Sequence, residues 1–420
     1  EILTLEDCLR IGIDNNLSLE GKRKEIQRSK YGVSENRSKL LPQINAIAGY
    51  SNNFDPPVSV TDGSSYGVPY NITQTLQHSA NAGLEMQMPL FNQTLYTSMS
   101  IAKVMEEISR LSYGKAREDV ILQISKMYYL GQVTAEQIML IKANITRLEE
   151  LRDITQAFFD NGMSMEVDLK RVNINLENLK VQYDNAQAMM KQQLNMLKYI
   201  MDYPAEKEIA LTPVNTDSIT TVALTGLSEN IYELQLSQSQ VQLAERQKKI
   251  ITNGYIPSLS LTGSWRYAAY TDKGYHWFHS GPSNQWFRSY GVGLTLRIPI
   301  FDGLDKTYKI KKAMIDIENK RLAWEDARKN LQTQYLNAVN DLMNNQRNFK
   351  KQKDNYLLAE DVYAVTSDRY REGIASMTEV LQDEMQMSEA QNNYISAHYN
   401  YRVTNLMLLK LTGQIESLVK

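Results

Sequence analysis

Proline limits the folds open to this sequence, because all ten prolines lie outside two long stretches, 90–203 and 300–420. A proline inside a helix removes a backbone hydrogen bond and clashes with the preceding turn, so long helices need proline-free segments. A helix over 94–160 alone would measure about 100 Å at ~1.5 Å per residue. That length is about three times the thickness of a bilayer core, and a globular domain does not need it.

Apolar residues in these stretches recur at alternating spacings of three and four, which is the seam of a coiled coil. The first seam contains Leu169, Val172, Leu176, Leu179, Tyr183, Ala186 and Met190, and the preceding helix contributes Ile138, Ile141, Ile145 and Leu148. A second seam runs through Val380, Asp383, Met387, Ala390, Tyr394, Ala397 and Tyr401. We expect the first two helices to pack as an antiparallel pair that turns at Asn161 and Gly162.

The sequence is internally duplicated at a shift of about 210 residues, as repeat proteins are. The segment AGLEMQMPLFNQ aligns with VGLTLRIPIFDG, and the second halves of the two long proline-free stretches also align. The first repeat is predicted over 1–205, with a helix, strands 43–54 and 78–91, and long helices 94–160 and 164–200. A linker, 206–226, precedes the second repeat, 227–413, with a helix, strands 256–270 and 286–300, and long helices 304–371 and 376–412; a tail, 414–420, follows.

Each predicted strand alternates apolar and polar residues, which indicates a sheet with one apolar and one polar face. A soluble sheet packed on a core has this pattern too. Many aromatic residues flank the apolar positions, as they do at membrane interfaces. Four strands per chain leave open edges that lipid does not tolerate, so a membrane location requires closure by three copies into 12 strands. The segments 55–77 and 272–285 would then be exposed loops.

Composition excludes several other classes of function. Lys and Arg number 46 against 48 Asp and Glu, a net charge of −2, so we expect no nucleic-acid partner. No apolar run approaches the ~20 residues of a membrane-spanning helix. No catalytic or cofactor-binding motif is present, and His276 and His279 alone do not predict a metal site. The start at Glu1, with no leader ahead of it, is what we expect of a processed mature protein.

The duplicated order, the PLFNQ and PIFDG joints and the turn RYREGIASMTEVLQ resemble the TolC-like outer membrane efflux family, the outer membrane factor of tripartite pumps. The resemblance implies an α+β membrane protein and a homotrimer. It also implies a trimeric 12-stranded β-barrel in the bacterial outer membrane, four strands per chain, continued by a long α-helical coiled-coil barrel in the periplasm. It implies neither an enzymatic activity nor a cofactor.

The same resemblance implies a passive exit duct for small molecules, docked to a periplasmic adaptor (a membrane fusion protein) and an inner-membrane transporter of the RND or ABC type. Outer-membrane lipid would surround the barrel. Type I protein secretion uses the same kind of duct and stays an alternative. A coiled-coil scaffold that forms no channel is the alternative from another class.

The family's functional positions map onto the two helical turns and the start of the last helix. Adaptor docking is expected at Asn161, Gly162, Met163, Glu372, Gly373 and Ile374. The periplasmic constriction is expected at Glu379, at Gln382, where the family has a second acid, and at Asp383, with Glu384 beside it. Asp168 and Tyr370 match positions that hold the closed state, whereas Ala375 replaces an arginine of that latch.

Overall fold

A computed structural model describes residues 1–56, 58–74, 76–213, 226–271 and 286–419. In chain order its elements are β1 (Ile2–Leu3), α1 (Leu5–Asn15), α2 (Leu17–Ser38), β2 (Gln43–Asn52), β3 (Val58–Asp62), β4 (Tyr70–Gln74), β5 (His78–Phe91), α3 (Gln93–Asp160), α4 (Glu166–Met201), β6 (Ala210–Leu211), α5 (Tyr232–Asn253), β7 (Ser258–Thr271), β8 (Trp286–Arg297), α6 (Asp305–Arg371) and α7 (Met377–Leu411), with 3₁₀ turns at Ser64–Tyr66 and Ile415–Val419. Among the described residues, none of the helices combines the length and the apolar character needed to cross a membrane.

The chain forms two compact units, and each takes segments from both sequence repeats. Unit 1 contains Glu1–Ile26, Ile108–Ser239 and Arg321–Lys420, and unit 2 contains Gln27–Glu107 and Gln240–Lys320. A sequence repeat is therefore not a compact unit, because its helices bury their apolar stripes against helices of the other repeat.

Unit 2 is built on an antiparallel sheet in the order β2-β5-β7-β8. Directly paired residues share a face, so the register defines two faces. One face is apolar and carries Ile44, Ala46, Leu84, Met86, Met88, Leu261, Trp265, Tyr290, Val292 and Leu294. The opposite face carries Asn45, Glu85, Gln87, Thr262, Ser264, Arg266, Ser289 and Thr295.

The described residues of the chain leave the apolar face of this sheet uncovered. Leu84 is 42% exposed, Tyr290 77% and Val292 79%. Among the described strands, β2 and β8 each pair on one side only, so their other backbone edges are open. This sheet is therefore not packed on a core formed by the described part of the chain.

One strand prediction and one loop prediction differ most from the structure. The last strand ends at Arg297 and not at 300, because its partner strand begins at Ser258, opposite Arg297, and Pro299 has no N–H to donate. The segment expected as a loop, 55–77, contains the hairpin β3–β4, with Val58 opposite Gln74. The other expected loop, 272–285, lies outside the described residues.

Unit 1 holds a core formed by all four long helices. Its fully or nearly buried members include Leu148 of α3, Val172 and Leu176 of α4, Tyr363 of α6, and Val380 and Met387 of α7. The first predicted seam is buried or half-buried throughout. In the second, Asp383 is only half-buried, and the neighbouring Glu384, which was not assigned to the seam, is the buried acid.

The ends of the chain are tied into unit 1. The expected single first helix is two, because Asn16 ends α1 with an extended backbone and its Oδ1 accepts from the N–H of Leu19. Ile2 and Leu3 pair in parallel with Ala210 and Leu211, which belong to the predicted linker. Residues 214–225 of that linker lie outside the described residues. The predicted tail contains a 3₁₀ turn that begins at Ile415, which is fully buried.

Candidate functional site

The two helical turns of unit 1 have the same backbone geometry. At the end of α3, the N–H of Met163 donates to Phe158 O at 2.8 Å and that of Gly162 to Phe159 O at 2.9 Å. At the end of α6, the N–H of Ile374 donates to Arg369 O at 2.8 Å and that of Gly373 to Tyr370 O at 2.9 Å. Both patterns are Schellman motifs, in which the glycine has a positive φ.

The glycines of these turns are explained by backbone conformation. Gly162 has φ 71° and Gly373 has φ 75°, a region that other residues rarely adopt. A Cβ at either position would meet no atom within 4 Å, so close packing inside the chain does not require glycine there.

The predicted docking residues are exposed at the two turns. Met163 and Ile374 are 68% and 62% exposed although they are apolar. Asn161 is exposed and donates from Nδ2 to Ala157 O at 2.8 Å, and Glu372 is exposed as well. The turn geometry does not account for the exposed apolar side chains, which makes them candidates for contact with another molecule.

A cleft of about 640 Å³ lies between the two turns and is lined by residues of both repeats. Asp168 and Tyr370, the two predicted latch residues, both line it, as does Ala375. The hydroxyl of Tyr370, however, donates to Thr155 Oγ1 at 3.2 Å, and its ring packs against Phe158 with centroids 5.6 Å apart. The structure thus brings the two predicted latch residues to one cleft, where Tyr370 bonds across the repeats to Thr155 of α3.

An arginine that we did not predict joins the two turns. Arg171 of α4 donates from Nη1 to Asp168 Oδ1 at 3.3 Å and lies 3.4 Å from Thr378 Oγ1 of α7. A second contact across the repeats joins Arg371 to Glu150 at 3.4 Å. The i, i+3 spacing of Asp168 and Arg171 was a usable signal for the first ion pair, but nothing in the sequence indicated the threonine.

The start of α7 gives Glu379 a defined local role. Its carboxylate accepts from Ser376 N at 2.7 Å and from Ser376 Oγ at 3.1 Å, while its own N–H donates to Ser376 Oγ at 3.3 Å. This is a capping box. The hydrogen bonds from the backbone and then the side chain of Ser376 lower the pKa of Glu379, so its exposed carboxylate stays ionised.

The remaining residues of the predicted constriction have unequal exposure. Gln382 is exposed and Asp383 is half-buried, whereas Glu384 is only 5% exposed. Burial raises the pKa of Glu384, and its Oε1 has no hydrogen-bond partner among the residues that the structure describes. Glu384 therefore belongs to the helix interface, and Glu379 is the acid best placed to face solvent.

A metal role has no support in the described part of the chain, where no group of three His, Cys, Asp or Glu side chains could hold an ion. His276 and His279 lie outside the described residues.

Comparisons with known proteins cover nearly the whole chain. A sequence model of the family described as outer membrane efflux protein matches residues 11–201 and 223–414. The outer membrane protein TolC of Vibrio cholerae serotype O1 is 21% identical over 399 residues, spanning 91% of this chain and 84% of the relative. The probable efflux pump outer membrane protein TtgC of Pseudomonas putida is 23% identical over 431 residues, spanning 97% and 82%.

Solved structures share the fold at low sequence identity. The channel-forming protein CusC superimposes with a TM-score of 0.80 at 16% identity, covering 97% of this chain and 91% of that one. The open-state outer membrane channel MtrE of Neisseria gonorrhoeae gives 0.77 at 19%, covering 97% and 88%. With the family model matching both repeats, this chain belongs to the outer membrane efflux protein family and is an outer-membrane protein.

Proposed function

We propose that this chain is the outer-membrane exit duct of a tripartite efflux system and conducts small molecules passively out of the periplasm. The observation that carries the proposal is the four-stranded sheet, whose apolar face is exposed and whose two outer edges are open. An exposed apolar surface of this extent fits lipid better than water.

Open edges explain why the duct would be a homotrimer. Lipid offers no hydrogen-bond partner to the free backbone groups of β2 and β8, so they require strands from other copies. Three chains supply 12 strands, an even number within the range of known barrels. The polar face, with Glu85, Gln87 and Thr262, would line the lumen, and the four long helices would form the periplasmic barrel.

We propose the two turns as the docking surface for a periplasmic adaptor, which links the duct to an inner-membrane transporter of the RND or ABC type. Exposed Met163, Met165 and Ile374 support this, because adaptors must bury some apolar surface to bind there. The open space beside Gly162 and Gly373 would let the backbone of a partner approach.

We propose that Glu379 narrows the periplasmic entrance as a ring of three carboxylates. Its exposure and lowered pKa support a charge that faces water. Rings of acidic side chains favour cations in a pore. The family's latch arginine is replaced by Ala375 in this chain. Arg171, which contacts Asp168 and Thr378, would hold the two repeats together in its place.

The experiment that tests the duct is the protein mass of the detergent-purified particle, measured by light scattering and corrected for bound detergent. We expect about three times the chain's 48.2 kDa. A monomer or dimer in several detergents would contradict closure by three sheets. The coiled-coil scaffold would then explain the sequence better.

A further inference from the structure

Two oppositely charged side chains meet on the polar face of the sheet in unit 2. Arg266 of β7 donates from Nη2 to Oε1 of Glu85 of β5. They are not directly opposite, because Gly83 pairs with Arg266 and Ser264 pairs with Glu85, so the arginine reaches diagonally across the strands. The two side chains are 40% and 46% exposed, so the pair still faces solvent.

The sheet is shaped to allow this contact. A Cβ at Gly83 would lie 2.4 Å from the Trp265 carbonyl oxygen and 2.8 Å from Arg266 Cα, so only glycine fits where β5 and β7 approach. Gly83, directly opposite Arg266, has no side chain on this face, so the guanidinium can reach diagonally to Glu85.

The surroundings of the pair are polar but uncharged. A depression of about 500 Å³ beside Glu85 is lined on this face by Asn45, Gln87, Thr262 and Ser264, together with glycines of β8. Within the described strands, the only other charged residue on the polar face is Arg297, which lies at the end of β8 opposite Ser258. Each charge of the pair is thus balanced almost entirely by the other.

We propose that Glu85 and Arg266 control the ion selectivity of the β-barrel by holding its lumen electrically balanced at their level. The inference rests on the proposed function, in which three sheets close with their polar faces inward and bring three such pairs into one ring. A single unbalanced charge per chain would then place three like charges around the passage, and low-dielectric walls focus their potential. The balanced pairs instead let solutes of either sign pass.

The test uses the full-length trimer in a planar lipid bilayer with a KCl gradient near 0.1 M, where the Debye length is about 10 Å. The readout is the K⁺/Cl⁻ permeability ratio. We expect Glu85→Gln to lower this ratio at least about two-fold, because Arg266 is left unbalanced, and Arg266→Gln to raise it by a similar factor. Both shifts should fade near 1 M KCl, where the Debye length is about 3 Å.

Two kinds of control separate charge from structural damage. The double variant Glu85→Gln with Arg266→Gln and the exchanged variant Glu85→Arg with Arg266→Glu both restore balance and should return the wild-type ratio. Arg288→Gln removes the same charge from the apolar face, where Arg288 lies over the Tyr290 ring at 5.8 Å, and should leave the ratio unchanged.

The outcomes distinguish this inference from the proposed function. Wild-type protein that is a monomer or dimer in detergent contradicts the duct, and the selectivity role with it. Channels whose ratio is the same in Glu85→Gln and Arg266→Gln, or moves in the same direction in both, overturn the selectivity role alone. A shift in Arg288→Gln as large as that in Arg266→Gln would also overturn it, because the polar face would then not line the lumen.

Discussion

Replacing Glu379 by glutamine separates the two roles that its carboxylate can have. Glutamine also serves at the third position of a capping box, so the start of α7 should stay intact. The substitution removes one negative charge per chain, and three in a trimer. If Glu379 lines the entrance, block of the channel by a trivalent cation should weaken in this variant.

The size of the effect follows from Coulomb's law. At the dielectric constant of water and with screening near 0.1 M salt, one carboxylate about 5 Å from a trivalent cation strengthens binding roughly ten-fold. We therefore expect Glu379→Gln to raise the half-blocking concentration at least about ten-fold. Hydrogen bonds from Ser376 lower the pKa of Glu379, so wild-type block should persist as pH falls to the ordinary glutamate value and disappear only below it.

Three further variants complete the measurement, which is single-channel recording with the blocker on the periplasmic side. Ser376→Ala removes the cap but keeps the charge, so it should destabilise the start of α7 by about 1 kcal/mol with little change in block. Gln382→Glu adds an acid where the family has one and should strengthen block. Glu389→Gln, an exposed glutamate on the same helix, is the matched control. Unchanged block in Glu379→Gln would leave Glu379 as a capping residue only.

Two predictions concern stability. Burial raises the pKa of the Glu118 carboxyl in the folded protein to about 7. The stability that the protonated Glu118 contributes is therefore fully present below the pKa that this group has in the unfolded chain, and it is lost as pH rises through 7. Glu118→Gln should therefore stabilise the protein at pH 8, by up to about 3 kcal/mol, and have little effect near pH 5; an equal change at both pH values in thermal unfolding would contradict this. Gly83→Ala should reduce the yield of detergent-stable trimer, because its Cβ would lie 2.4 Å from Trp265 O, whereas Gly32→Ala, with nothing within 4 Å, should not. Equal yields of the two variants would refute the close approach of β5 and β7.

Local signals made the long elements predictable. Helix α3 begins at Gln93 and ends at Asp160, against a prediction of 94–160, because proline and heptad spacing act along the chain itself. The strand faces follow from alternation alone. The hairpin β3–β4 and the break at Asn16 were missed, since the first lies in a Pro- and Gly-rich segment and the second depends on one side-chain cap.

The contacts of the site were harder to predict than its position. Both glycine turns could be located, because a helix that must reverse needs a residue that tolerates positive φ. The partners of Tyr370 and Arg171 could not, because they depend on which helix faces meet across residues about 200 positions apart. Pairings of that kind are properties of tertiary packing and leave no periodic trace in the sequence.

The buried face of α7 shows how such packing can be specified. Apolar Val380, Met387 and Tyr394 alternate on this face with three buried polar residues, Glu384, Gln391 and His398, which recur every seven positions and are 5%, 4% and 0% exposed. Gln391 exchanges two hydrogen bonds with Asn144 of α3, at 2.7 and 3.4 Å, and His398 Nδ1 lies 3.5 Å from Glu136 Oε2 of the same helix. Sliding α7 by one heptad would bring the next polar residue opposite each partner. Because these partners differ, the wrong register would be penalised, as it is by single polar residues in coiled coils.

The matching positions of the first repeat, 173, 180 and 187, are exposed or half-buried, so this pattern of buried polar residues belongs to the second repeat alone. The register of α7 determines the height of Glu379 relative to the turn of the other repeat. The buried polar residues Glu384, Gln391 and His398 therefore help to fix the position of Glu379 at the proposed entrance from several helical turns away.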